Sequence, residues 1–392
     1  MRAIAVSAFR AAPELVELPK PEPGAGEIRV RVEYAALNPC DWQTVPGSTE
    51  TPSAVTGKVC PEGAASGACD RKAAEGPRSG LRGLSANAAS VRAGRCDGAN
   101  VAGHGTSSPV TPGSSLDARG SPGAAAPGAP APAPAFPLVL GVDFAGRVEK
   151  IGSGPNRFRV GDQVFGRTAG PAVGGTCCDY LTVPQESAVT LVPPGLPLKV
   201  AAALPSAGMA AAQILETVAL RGHESLLVVG AAGGVGSCLT QLAAARDIRV
   251  IAAVRGDERR RMAALGATTT VDTLARPLEE TVREVCPDGV DALVDLVCAT
   301  PDAFAAHAAP VRAGGIALST RDAAARAALP VGVTGIDFRL EPTPVLLDIL
   351  AAGAADGVLR VPIDAELPLE RAPQALDRNR AGGARGKTVI VL

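Results

Sequence analysis

Aromatic side chains make up only 3% of the 392 residues, with one Trp, two Tyr and seven Phe, so the interior has to be built mainly from Ala, Val and Leu. Neither charge is in excess: 38 Lys and Arg face 39 Asp and Glu, a net charge of -1. That balance excludes whole-chain attraction to nucleic acid or to an anionic membrane, and any partner must be recognised locally. Uninterrupted apolar runs are also missing, and a membrane helix needs ~20 such residues. The charge-free stretch from Gly120 to Val142 is studded with Pro, and that from Ser225 to Ala245 carries Gly in its middle. The opening MRAIAVSAFRAAPE is broken by Arg10 and predicts no secretion signal. Nine cysteines, odd in number and irregular in spacing, do not fit a disulfide framework and point to reduced thiols in the cytoplasm.

What is present divides the chain. Its length predicts two folding units. Ile28 to Tyr34 (IRVRVEY) alternates apolar and charged residues with period two, which predicts a half-buried strand. From Thr51 to Ala135 the texture changes to Ala, Gly, Ser, Pro, Arg and Thr, with eight Val or Leu and no Ile, Phe, Tyr, Trp or Met. Such a stretch buries too little apolar area to offset its ordering entropy, so 51–135 is expected to be a low-complexity disordered insertion. Order resumes at Phe136, where FPLVLGVDFAGRVEKIG predicts strands joined by a Gly turn and RVGDQVFG a further turn. Ala201 to Leu215 has helical spacing, and three strand-helix units follow: SLLVVG with SCLTQLAAA, RVIAAV with ERRRMAALG, and DALVDLV leading to a Gly314-Gly315 turn into IALS. This alternation predicts an α/β fold with a doubly wound parallel sheet. PVLLDILAAG predicts a helix and KTVIVL a closing strand. The expected division is 1–50 and 136–198 for one domain, 199–335 for the nucleotide domain, and 336–392 for a return to the first.

The strongest chemical signal is the strand Leu226 to Val229 running into Gly230, Ala231, Ala232, Gly233, Gly234, Val235 and Gly236 and then a helix. A tight turn, backbone within reach of a pyrophosphate, and close helix-strand packing each need a small residue, and Ala231, Gly233 and Gly236 stand at the three fingerprint positions. The next strand, Arg249 to Val254, ends where an NAD enzyme would place an acid for the ribose 2'-hydroxyl. Val254 stands there instead, followed by Arg255 and by Arg259, Arg260 and Arg261. A guanidinium at that place favours the 2'-phosphate of NADPH. The bland reading is a solvated helix start whose charges are offset by Asp257 and Glu258.

ALNPCDW (Ala36 to Trp42), LGVDFAGRVEKIGSG (Leu140 to Gly154), RVGDQVFG (Arg159 to Gly166), AALPSAGMAAAQIL (Ala202 to Leu215), VVGAAGGVG (Val228 to Gly236) and RGKTVIVL (Arg385 to Leu392) occur in one order. In these words the chain resembles the medium-chain dehydrogenase/reductase superfamily, in its zinc-free quinone oxidoreductase (zeta-crystallin-like) branch. The resemblance implies a GroES-like substrate domain made from both ends of the chain, a Rossmann domain between them, a cleft active site, and homodimers or homotetramers. Zinc-dependent members carry Cys and Gly-His-Glu where this chain has Asn38 and Val142-Asp143, so thiolate and imidazole ligands are both missing. Cys60, Cys69, Cys96 and His104 are too widely spaced for a structural site. No metal ligands are assigned.

Without a Lewis acid, the expected reaction is hydride transfer from NADPH to an intrinsically electrophilic small molecule, a quinone or an α,β-unsaturated carbonyl. Asn38 is expected to orient the nicotinamide ribose or the substrate, Asp41 to organise that loop, and Trp42 to form an apolar wall. Each also has a bland reading, as a turn residue, a backbone acceptor or a core residue. Gln43 stands where some relatives place a Tyr, so no proton donor is identified. Cys177 and Cys178 read as core thiols, and His223 and His307 as surface or capping residues. Two alternatives stay open: a trans-acting enoyl reductase of a biosynthetic pathway, and a non-catalytic NADPH-binding protein.

Overall fold

The computed structural model of the protein describes residues 1–8, 11–43, 136–170 and 174–392, with the side chains of Trp42 and Gln43 outside that description. The stretch 51–135 expected to be a disordered insertion therefore lies outside the described residues, between helix α1 and strand β4.

The first unit contains β1 (Arg2–Val6), β2 (Glu14–Glu17), β3 (Glu27–Ala36), α1 (Pro39–Gln43), β4 (Leu138–Val139), β5 (Asp143–Ile151), β6 (Gln163–Arg167), β7 (Tyr180–Pro184) and β8 (Val189–Leu191). Then come α2 (Leu198–Ala203), α3 (Pro205–Val218), β9 (Ser225–Val229), α4 (Gly234–Ala244), β10 (Arg249–Val254), α5 (Arg259–Ala264), β11 (Thr269–Asp272) and α6 (Leu278–Val285). The chain ends with β12 (Val290–Asp295), α7 (Pro301–Ala308), β13 (Val311–Ser319), β14 (Thr334–Asp337), α8 (Pro344–Ala355), β15 (Ile363–Pro368), α9 (Ala372–Arg380) and β16 (Lys387–Val391).

Six parallel strands run β11-β10-β9-β12-β13-β14, which is the doubly wound order with its switch point between β9 and β12. A second sheet runs β15-β16-β3-β5-β6-β8 with β7 added on β3, and a small third sheet joins β2, β1 and β4. Val389 of β16 lies opposite Ala36 of β3. The end of the chain thus completes the domain that its beginning opens, the arrangement expected for a GroES-like domain with a Rossmann domain between its two parts.

Local chemistry explains where the elements depart from the sequence pattern. The Ala-rich run is two helices, because Pro205 lacks an amide for the preceding turn and restarts the helix at its first position. The Gly314-Gly315 pair lies within β13 instead of preceding a strand. Gly314 has φ +81°, and a Cβ on Gly315 would stand 2.7 Å from the Asp291 carbonyl. The nucleotide sheet continues to Asp337 of β14, past the boundary expected at 335. As the shortage of aromatics requires, Ala201, Ala202, Ala203 and Ala207 share one buried cluster with Leu226 and Val228, and small side chains there let helices approach closely. None of the described helices is long and apolar enough to cross a membrane.

Candidate active site

β9 is buried along its whole length, and its exit sets the glycine-rich loop. Gly230 turns the chain with φ +85°, and Gly233 caps α4 in extended conformation. A Cβ on Gly236 would meet the Gly230 carbonyl oxygen at 2.5 Å and Ala231 Cα at 2.6 Å. Helix and loop are therefore in backbone contact, which only glycine permits. The first-turn amides of α4, at Gly234, Val235 and Gly236, point out of a helix end that favours an anion. Arg261 donates to the Ala232 carbonyl at 2.9 Å and to Ser237 Oγ at 3.2 Å, so a guanidinium lies directly on this loop.

The two arginines singled out from sequence stand farther along the same edge. Arg255 is exposed, and its carbonyl accepts a bond from Arg385 at 3.2 Å. Arg259 is paired with Asp257 at 3.2 Å and is 77% exposed, while Arg261 pairs with Glu258 at 3.3 Å. The charge offset of the bland reading is present for both residues. Beyond β10 and β11 a cavity of about 290 Å³ is lined by Gly256, Asp257, Arg259, Thr270 and Asp272 among others.

The loop after β3 is organised by buried polar groups. Asp41 Oδ2 accepts the Asn38 amide at 2.7 Å, and Asn38 Nδ2 donates to the Ala36 carbonyl at 3.1 Å and to Asp143 Oδ2 at 2.9 Å. Ser206, at the start of α3, donates its hydroxyl to Asp143 Oδ1 at 2.6 Å. Lys387 Nζ completes the cluster at 2.6 Å from Asn38 Oδ1, 3.1 Å from the Leu37 carbonyl and 3.2 Å from Asp143 Oδ2. The Lys387 stem passes the cofactor loop, its Cδ 2.8 Å from where a Cβ on Gly234 would be. One side chain thus touches both residue sets singled out from sequence.

Trp42 belongs to α1, but its side chain lies outside the described residues. Lys387 and Asp143 stand in words that carry the resemblance, but neither is assigned a site role from sequence, since a lysine opening a strand reads as a solvated edge. Cys177 and Cys178 are buried free thiols. Burial pushes Cys177 well above its ordinary range, and Cys178 up to about 12.

Asp41 gives a pH prediction. Burial, opposed by the Asn38 amide, raises its carboxyl from 3.8 to about 7. Between about pH 4 and 7 the unfolded chain gives up this proton while the folded chain keeps it, so this group lowers stability as pH rises through that window. Asp41→Asn keeps an acceptor for Asn38 and is expected to remove a loss on the order of 3 kcal/mol between pH 4 and 8. Urea midpoints of both proteins at the two pH values check this, and an equal pH dependence would contradict it.

Residues 265–390 match the family model described as zinc-binding dehydrogenase, and residues 117–194 match the alcohol dehydrogenase GroES-like domain. A quinone oxidoreductase of Pseudomonas aeruginosa is 30% identical over 277 residues, which span 66% of this chain and 84% of that protein. The chain belongs to the medium-chain dehydrogenase/reductase superfamily, in its quinone oxidoreductase branch. The fold agrees: the structure of the quinone oxidoreductase from Coxiella burnetii superposes with TM-score 0.72 at 22% identity, covering 100% of this chain and 99% of that one. A mycobacterial protein solved in complex with NADPH superposes with TM-score 0.67 at 21% identity, covering 100% of both chains.

As a member of the quinone oxidoreductase branch, the chain is an oxidoreductase of a nicotinamide-dependent family. One group near its nucleotide loop corrects the sequence reading. His307, expected as a surface or capping residue, has its Nδ1 2.8 Å from Asp295 Oδ2 and 3.4 Å from Cys298 Sγ. Asp295 ends β12, and its Oδ1 accepts the amides of Val297 and Cys298 at 2.8 and 2.9 Å. That turn brings Cys298 back over the strand end, while α7 returns His307 to the same place. Burial pushes Asp295 upward, but the His307 hydrogen bond and the two amides outweigh it and hold the carboxyl below its ordinary range. Burial and the Asp295 charge push Cys298 up to about 12.

Proposed function

We propose that this chain is an NADPH-dependent reductase that delivers hydride to a quinone or another α,β-unsaturated carbonyl compound without a catalytic zinc. The observation that carries this reading is the position of Lys387. Zinc-dependent members offer a thiolate at the place of Asn38 and an imidazole at that of Val142, beside Asp143, and here an ammonium stands 2.6 Å from the Asn38 side chain and 3.2 Å from the Asp143 carboxylate. Asn38 and Asp143 are an amide and a carboxylate with no thiolate or imidazole, and Lys387 already supplies the positive charge, so this donor set does not fit zinc.

Bound NADPH supplies the hydride. The amides at the start of α4 would hold its pyrophosphate, Arg261 adds positive charge to the same loop, and Asn38, fixed by Lys387 and Asp143, would orient the ribose or substrate. With no Lewis acid to polarise the acceptor, the acceptor itself must be electrophilic, and the delocalised anion formed by hydride addition takes its proton from solvent. The name of the Pseudomonas aeruginosa relative and the NADPH in the mycobacterial neighbour support this reading. None of the six described cysteines is joined in a disulfide, which supports a reducing, cytoplasmic setting.

Choice of NADPH over NADH is assigned to Arg255 and Arg259, beyond a strand end without an acid. Charge-assisted hydrogen bonds contribute about 1.5–3 kcal/mol, so the Arg255→Ala, Arg259→Ala double variant should lose at least ~10-fold in NADPH preference. Comparing kcat/KM for NADPH and NADH checks this, and an unchanged ratio would contradict the assignment. A panel of small quinones and one enone tests the reaction: nucleotide binding without turnover on every acceptor would favour a non-catalytic role.

A further inference from the structure

Outside the Asn38 and Lys387 network, chemically reactive side chains converge, among the described residues, at the end of β12. Asp295, Cys298 and His307 each offer one ligand atom there, all within 4.8 Å of one another. We propose that Asp295 Oδ2, Cys298 Sγ and His307 Nδ1 form a binding site for one divalent transition ion of the zinc type, with water completing its coordination.

The geometry is near what such an ion requires. In a tetrahedral zinc site, sulfur and imidazole nitrogen lie about 3.5 Å apart, and imidazole nitrogen and carboxylate oxygen about 3.3 Å apart. Cys298 Sγ and His307 Nδ1 are 3.4 Å apart, while His307 Nδ1 and Asp295 Oδ2 are 2.8 Å apart. The first pair already has the required spacing and the second must open by about half an ångström, while Asp295 and Cys298 present their ligand atoms within 4.8 Å of each other. Asp295 is fully buried and anchored by two backbone amides, whereas Cys298 and His307 are partly exposed, which leaves the ion a path from solvent.

The same ring nitrogen, Nδ1, faces both partners. A proton-relay triad needs one nitrogen for the carboxylate and the other for the thiol, so this is not the geometry of an activated nucleophile. Convergence of three donor atoms on one point suits an ion. Binding releases the thiol proton and leaves the imidazole proton on Nε2, so thiolate and carboxylate present two negative charges to a divalent ion, with the Arg321 charge nearby. Calcium and magnesium prefer oxygen ligands throughout, whereas one sulfur, one nitrogen and one oxygen match zinc. The site adjoins the nucleotide loop, since Val297 Cγ1 lies 2.7 Å from where a Cβ on Gly230 would be. It is separate from the Asn38 and Lys387 cluster, and the inference does not depend on the reductase reading.

Cobalt(II) titration of the chelator-stripped full chain tests it. One equivalent should bind with a thiolate-to-cobalt charge-transfer band, and zinc should abolish that band. Cys298→Ser should lose the band, and His307→Ala should bind at least ~10-fold more weakly. A Cys60→Ser, Cys69→Ser, Cys96→Ser triple variant should keep the band. On the unaltered chain, zinc should slow alkylation of Cys298 by iodoacetamide at least ~10-fold, read by peptide mass spectrometry. No band in the wild type, a band that survives Cys298→Ser, loss of the band in the triple variant, or equal alkylation with and without zinc would each overturn the proposal.

Discussion

Gly236→Ala is expected to cost both nucleotide affinity and stability. The added methyl would stand 2.5 Å from the Gly230 carbonyl oxygen, 2.6 Å from Ala231 Cα and 2.8 Å from the Ala231 carbonyl oxygen. All three are backbone atoms, so no rotamer change relieves the clash and α4 must move away from the loop. Overpacking of this kind destabilises by about 1–3 kcal/mol, and displacing the helix end from the pyrophosphate should weaken NADPH binding at least ~100-fold, about 2.7 kcal/mol. Gly233→Ala supplies the contrast. Its methyl would meet only the Gly230 carbonyl oxygen, at 3.4 Å, and its extended backbone suits alanine. It should keep near wild-type stability and lose affinity, because the methyl projects where the phosphates would approach. Calorimetric titration with NADPH and urea unfolding of both variants separate the two effects. Equal stability losses would show that the contact at Gly236 is not the decisive one.

Lys387→Met is expected to be the most destabilising single change in the Asn38, Asp143 and Lys387 cluster. Lys387 and Asp143 are 3% and 0% exposed, and methionine matches the lysine stem beside Gly234 while removing the ammonium. Breaking a buried pair leaves an uncompensated charge and costs about 3–5 kcal/mol. Adding Asp143→Asn removes that charge and should restore most of the loss. Denaturant unfolding of the two single variants and the double variant measures the coupling. Additive losses in the double variant would mean that the pair does not interact as described.

The glycine-rich turn from β9 into α4 was legible because its constraints are local: strand, turn and helix start lie within a dozen residues, and each small residue answers a backbone requirement. The nucleotide sheet was legible for the same reason, since its strands and helices alternate in sequence. The buried cluster of Asn38, Asp143 and Lys387 was not. Asn38 and Lys387 lie 349 positions apart, and only the pairing of β16 with β3 brings them together. Asn38 could be singled out from its place in a family word, but nothing local showed that its side chain would bond to Asp143 and Lys387. Among the arginines, Arg255 and Arg259 stood out by distance from the loop, whereas Arg261 reaches back to it because two residues along α5, about half a turn, the helix faces Ala232. His307 looked solitary since its partners come from the other side of a turn and helix. Strand register and helix rotation decided these contacts, and neither is written in a single segment.

The most direct measurement is anaerobic mixing of the chelator-treated protein with NADPH and a small quinone, following loss of the nicotinamide absorbance. Hydride delivery that relies on Lys387 and on backbone amides gives the same rate before and after chelation. No oxidation with any quinone or enone, or oxidation that returns only when zinc is added back, would contradict it.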